Sequence, residues 1–138
     1  PEPAGAVIVV MSAILDQPVP QARQSGIITM YSAAFIFEPG EYDAEFHRLN
    51  GLIDAAAKAT EGFIGSESWQ SADGRIHNAT YYWETLAALD QFSRNPHHLE
   101  AKKHYRNWYK GYHIVISEVL RSYGDEQIPH LTPNDRGR

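Results

Sequence analysis

Near the middle of the chain, Ser71-Ala72-Asp73-Gly74 separates two runs with strand character, residues 62–70 (GFIGSESWQ) and 76–84 (IHNATYYWE). Asp-Gly between such runs signals a tight hairpin, because both residues tolerate the positive φ that the turn demands. Two antiparallel neighbours are thereby set, and the rest of the chain must be arranged around them. Upstream, residues 26–37 (GIITMYSAAFIF) are rich in β-formers and apolar on both alternating sets. One set is Ile27, Tyr31, Ala33, Phe35 and Phe37; the other is Ile28, Met30, Ala34 and Ile36. Such a strand is covered on both faces. Pro39-Gly40 ends it. Tyr42, Phe46, Leu49, Ile53 and Ala56 then recur at helical spacing, after an acidic first turn of Glu41, Asp43 and Glu45 that suits the helix dipole.

Downstream of the hairpin, helical spacing returns at Leu86, Leu89 and Phe92, with Thr85 as the N-cap. Asn95-Pro96 breaks that helix and restarts it, Asn as cap and Pro as first helical residue. The restarted piece carries His98, Ala101, Tyr105 and Tyr109 near one meridian, with Trp108 on its flank. Residues 113–123 (HIVISEVLRSY) form a closing strand. The order is β-α-β-β-α-β, an α+β, ferredoxin-like antiparallel sheet. Both helical segments fall on one sheet face. The doubly apolar strands leave the other face as an association surface, which predicts a homodimer with two sheets packed face to face, a dimeric α+β barrel.

The 138 residues fit one domain. Its expected extent is 26–123, preceded by an N-terminal arm or leader (1–25) and followed by a polar, proline-interrupted C-terminal tail (124–138). The apolar run 6–15 (AVIVVMSAIL) is too short to span a bilayer and lacks the basic region of a signal peptide, since the first cation is Arg23. It reads as an extra strand or an arm on a partner subunit, or else as a leader from a mis-assigned start. There are no cysteines, which excludes disulfides, thiol nucleophiles and Cys-ligated metals and permits a cytoplasmic setting. A net charge of −5 argues against nucleic acid as a partner, and seven histidines make that charge pH-sensitive.

His98, in the first turn of the restarted helix, is the best-placed proton acceptor, because a helix N-terminus disfavours the imidazolium; the alternative is a core histidine bonded to a backbone carbonyl. His97 and His104, seven residues apart, are too distant to share a metal, and His47, His77 and His113 have no patterned partner. Glu67 alternates with Phe63, Gly65 and Trp69; if that set faces inward the carboxylate needs a partner, and Arg121 is available. Trp69, Tyr81, Trp83, Tyr105 and Trp108 are either core or the wall for a flat aromatic ligand. Asn78 and Tyr82 face opposite to Tyr81 and Trp83, so one pair lines the cleft and the other does not. Lys102, Lys103, Arg106 and Lys110, with Glu100 nearby, read as a solvated helix face.

The strand GFIGSESW, the Asp-Gly hairpin, ATYYWE, NPHHLEAKKHYRNWY and the closing HIVISEVLRSYG together resemble the antibiotic biosynthesis monooxygenase family over about residues 26–123. The resemblance implies a dimeric α+β barrel and oxygen-dependent chemistry on a small hydrophobic aromatic or quinol-like substrate. In some members this chemistry runs without flavin, haem or metal, the substrate anion reducing O2 itself. It points to His98 as the catalytic residue and to Trp83, Trp108, Tyr81, Asn78 and Trp69 as substrate-binding, with no cofactor-binding or metal residues. A haem-degrading branch uses an Asn on the first strand and a Trp and a His on the last helix. Here that strand has no Asn, and Phe92 and Lys102 stand at the other two positions. Haem binding or degradation remains one alternative, a non-enzymatic ligand-binding or stress-associated barrel the other.

Overall fold

The computed structural model describes residues 29–135. Strand β1 (Met30–Pro39) leads to helix α1 (Ala44–Ala59), then β2 (Phe63–Gln70), β3 (His77–Trp83), helices α2 (Leu86–Ser93) and α3 (Pro96–Lys103), and β4 (Tyr109–Val119). The four strands form one antiparallel sheet in the order β2-β3-β1-β4. This is the α+β ferredoxin-like arrangement that the periodicities predict. Residues 1–28, with the apolar arm and the first part of the expected opening strand, lie outside the described residues.

Local chemistry sets each boundary. Asp43 caps α1, accepting from Phe46 N at 2.8 Å; Thr85 caps α2 through Ala88 N; Asn95 caps α3 through His97 N, with Pro96 first in the helix. In the hairpin, Asp73 Oδ1 accepts from Ser71 Oγ at 2.7 Å and from Arg75 N at 3.0 Å, and Gly74 takes a φ of 74°. Gly62 turns the chain from α1 into β2 with φ 98°, and a Cβ there would meet Ala88 Cβ at 2.8 Å. That position requires glycine.

One sheet face carries the core. Tyr31, Ala33, Phe35 and Phe37 of β1 and Ala79, Tyr81 and Trp83 of β3 are buried beneath Phe46, Leu49 and Ile53 of α1, Leu89 and Phe92 of α2, and Ala101 of α3. The opposite set, including Ser32, Ala34 and Ile36, is half-buried on the helix-free face. The restarted helix is shorter than its stripe suggests. It ends at Lys103; Tyr105–Asn107 form a single tight helical turn, and Tyr109 passes into the sheet. There it pairs with Pro39, while Gly40 N donates to Trp108 O at 2.7 Å, so β4 begins four residues before the expected 113.

Candidate functional site

The layer between sheet and helices holds most of the aromatic candidates. Trp83 from β3 packs on Phe92 of α2 with ring centroids 5.2 Å apart, and Phe92 packs on His98 of α3, also at 5.2 Å. Phe63 of β2 lies 5.0 Å from Trp83 and 6.0 Å from Tyr81, and Tyr31 stands opposite Trp83 on β1. Phe63, Tyr81, Trp83, Phe92 and His98 are linked by successive ring contacts, and Tyr31 neighbours Trp83 across the ladder. Tyr31 Oη, Tyr81 Oη, Trp83 Nε1 and His98 Nε2 are buried without any hydrogen-bond partner. Buried polar atoms are almost always satisfied, and each orphan costs about 1–3 kcal/mol. Four in one aromatic layer therefore define a site with unmet demand for a polar partner.

His98 is fully buried, and its Nδ1 lies 3.2 Å from the Ser93 carbonyl. A carbonyl only accepts, so Nδ1 carries the hydrogen and Nε2 presents a lone pair. Burial lowers the imidazole pKa to about 4; the Ser93 bond opposes this and the Lys102 charge adds to it. The direction agrees with the expectation from the helix N-terminus, but desolvation is the main cause. Tyr81 shifts the other way: burial, then the Asp54 charge, raises its phenol pKa, so it stays a neutral donor. The layer thus offers one acceptor, one indole N–H and two phenol hydroxyls.

The sheet divides the remaining expected residues. Trp108 is buried on the helix side, but its Nε1 donates to Asp43 Oδ1 at 3.0 Å, so its polar handle ties the start of β4 to the cap of α1. Asn78 and Trp69 lie on the helix-free face. Asn78 Nδ2 bonds Thr80 Oγ1 at 3.2 Å, and Trp69 is 65% exposed with its Nε1 on Glu67 Oε1 at 2.9 Å. Neither can meet Tyr81, Trp83 or His98. Phe63 and Glu67 do not share a face as simple alternation requires, because the register between β2 and β3 shifts between Phe63 and Gly65. A bulge of this kind reverses the parity of every later residue in the strand.

Glu67 is accordingly partnered outside the core, by Tyr82 Oη at 2.8 Å, Trp69 and His130 Nε2 at 2.6 Å, and not by Arg121. Partial burial works to raise its pKa, yet these three donors outweigh it and hold the carboxyl below its usual value. His97 is half-buried, His104 exposed and His113 exposed on the helix-free face, opposite Ile36. His47 packs on Phe46, and His77 Nε2 lies 3.1 Å from Gly74 O. Arg106 lies over the Tyr105 ring and Lys110 stands 4.0 Å from Glu38; both line a hollow of about 680 Å³ with Tyr105 and Tyr112. Among the described residues no group of His, Asp or Glu clusters as metal ligands, and no helix is long and apolar enough to cross a membrane.

Sequence reasoning missed Tyr31 as a site residue, naming it only as a strand position, and missed His130 in the tail. The signal for Tyr31 was its pairing across from Trp83, which the strand order supplies. Two hollows of about 750 and 680 Å³ lie elsewhere, and none of Tyr31, Tyr81, Trp83 or His98 lines them.

Four antiparallel strands in the order β2-β3-β1-β4 with helices on one face make this a ferredoxin-like α+β protein. The same fold is found in solved structures of distant sequence. The structure superposes on SnoaB, a cofactor-independent oxygenase from Streptomyces nogalater, with a TM-score of 0.57 and 15% identity, covering 70% of this chain and 98% of SnoaB. A Nitrosomonas europaea protein provisionally named an antibiotic biosynthesis monooxygenase matches with a TM-score of 0.54 and 17% identity, over 69% of this chain and 94% of that one. In sequence, the chain is 28% identical over 92 residues to YqjZ, an uncharacterized Bacillus subtilis protein, covering 66% of this chain and 80% of YqjZ. No family model matches.

Proposed function

We propose that this protein is a monooxygenase of the antibiotic-biosynthesis type, oxygenating a hydrophobic, quinol-like aromatic in the helix-side layer without a cofactor. The observation that carries the proposal is the set of four unpartnered buried atoms on the helix side of the sheet, two of them on rings packed against Phe92. Their chemistry is complementary to a phenol with a neighbouring carbonyl. The phenol hydroxyl donates to His98 Nε2, and Trp83 Nε1 and the Tyr81 hydroxyl donate to oxygens that gain charge as the phenol ionises. An imidazole with a pKa near 4 is a weak base in the ligand-free protein. The anion formed beside it raises that pKa by opposite charge, which is how a desolvated base works only when its substrate is present. The electron-rich anion then passes an electron to O2, the radical pair recombines at a ring CH2 carbon as a peroxide, and loss of water leaves a carbonyl there. One oxygen atom thus enters the product, the other leaves as water, and the substrate itself is the reductant; dry aromatic walls keep bulk water from intercepting the radicals.

The position of both hollows away from this layer favours a second reading, a ligand-binding barrel without turnover. A hydroxyanthraquinone, which has the phenol and carbonyl but no oxidisable carbon, separates binding from chemistry. Titration should quench tryptophan fluorescence in the wild type, and His98→Ala should weaken binding about tenfold, the effect of one lost hydrogen bond in a dry site. Equal binding to both proteins would remove the helix-side layer from the account. Hemin belongs in the same panel: a Soret shift that His98→Ala abolishes would favour the haem alternative. The helix-free face is proposed as the contact between two copies in a homodimer.

A further inference from the structure

The chain beyond β4 does not leave the molecule. It crosses the helix-free face at the end where β1 begins, passing Ser32 of β1 and Tyr82 of β3, and reaches Gly65 and Glu67 on β2, the opposite edge of the sheet. Its neck is closed by Asp135 N donating to Ser122 O at 2.7 Å and Ser122 N donating to Asp135 Oδ2 at 3.1 Å. Its far point is held by His130. The Nδ1 of that ring accepts from Thr132 N at 3.1 Å, so Nε2 carries the hydrogen and donates to Glu67 Oε2 at 2.6 Å. Beside this contact, Leu131 packs over Gly65, where an added Cβ would sit 3.6 Å from Leu131 Cδ2. Between strap and sheet lies a hollow of about 750 Å³, so the strap bridges the face without sealing it.

The other half of the face is bare. Ala34 and Ile36 of β1 share it with Val115 of β4, which is 42% exposed, and Trp69 of β2. The same alternate rows continue beneath the strap as Met30 and Val119. Four strands at their usual spacing and a ten-residue β1 make a face about 19 Å by 30 Å, on the order of 600 Å² in plane. A specific interface takes about 800 Å² of accessible surface from each partner. The whole face, with its side chains, reaches that figure, whereas the bare half does not. Self-contact is electrostatically open even to a chain of net charge −5, because the carboxylates on this face keep partners when the strap lifts: Glu67 by Tyr82 and Trp69, Glu38 by Arg75 at 2.9 Å.

We propose that residues 120–135 form a removable strap that competes with a second copy of this chain for the helix-free sheet face, and that the His130–Glu67 contact is its latch. The inference rests on the homodimer reading above and adds its control: the face is complete for a partner only when the strap is lifted. The chain's lack of cysteine makes a direct test possible. The wild type, His130→Ala, and a Glu67→Cys/His130→Cys pair joined by a short bis-maleimide are compared by sedimentation velocity over a range of concentrations. Circular dichroism confirms that each is folded.

Loss of the latch should tighten dimerisation about tenfold, as expected for one charge-assisted hydrogen bond that held the monomer closed. The cross-linked form should remain monomeric where the wild type dimerises. Equal dimerisation by all three forms would overturn the strap and leave the homodimer standing. Weaker dimerisation of His130→Ala would overturn it too, since the strap would then build the interface. Monomers throughout would overturn both.

Discussion

His98 concentrates the argument at the scale of single residues. Folding holds its pKa near 4 against about 6.5 in an unfolded chain, so between those values the unfolded state binds more protons. Stability must therefore fall as the pH drops from about 6.5 through 4, by roughly 3 kcal/mol from this residue alone. Urea midpoints at pH 7 and pH 4.5 check this, with His98→Leu abolishing that part of the loss. His98→Leu removes the orphaned Nε2 but leaves the buried Ser93 carbonyl without its donor, two effects of similar size, so the variant should be within about 1 kcal/mol of wild type at pH 7. Tyr81→Phe makes the parallel case. Its hydroxyl is buried and unpartnered, so thermal unfolding should show equal or slightly greater stability, while hydroxyanthraquinone affinity falls several-fold. A core without function would show the stability result and no change in binding. Sequence alone brought His98, Tyr81 and Trp83 forward by type and spacing. It could not tell that their polar atoms lack partners, because satisfaction is decided by neighbours distant in the chain.

Secondary-structure elements were legible wherever one short-range signal dominated. The caps at Thr85 and Asn95 and the Asp73-Gly74 turn appear as expected, since each involves residues within a few positions, whereas of the acidic trio expected in the first turn of α1 only Glu45 lies there, Asp43 being its cap and Glu41 preceding it. Two features escaped because they depend on pairing. The bulge at Gly65 turned Glu67 and Trp69 out of the core, and only the glycine inside a strand pattern hinted at it. Tyr109 obeyed the helical meridian yet joined the sheet, because Pro39 and Gly40 offered it a ladder. Asp43 shows how an element boundary carries tertiary weight: one oxygen caps α1 and also receives the Trp108 indole. Asp43→Ala should cost about 2–3 kcal/mol, the cap and the buried indole N–H together, against about 1 kcal/mol for Thr85→Ala, where the cap acts alone. Chemical denaturation of the two variants side by side tests this ordering.

For the whole molecule, the order of periodicities was enough to fix a ferredoxin-like sheet with helices on one face. The assembly of aromatic residues was not, since the sheet separates Trp69 and Asn78 from Tyr81, Trp83 and His98. That separation gives the molecule two working faces: a dry helix-side layer with unmet polar demand, and a helix-free face half covered by the chain's own strap. The central claim concerns the first. Purified, metal-free protein would be given a panel of anthrones and dihydroquinones in air while an oxygen electrode records uptake. Protein-dependent uptake is expected with at least one of them, largely lost in His98→Ala and retained in Trp69→Ala on the opposite face. No protein-dependent uptake across the panel, or uptake unchanged in His98→Ala, would contradict the central claim.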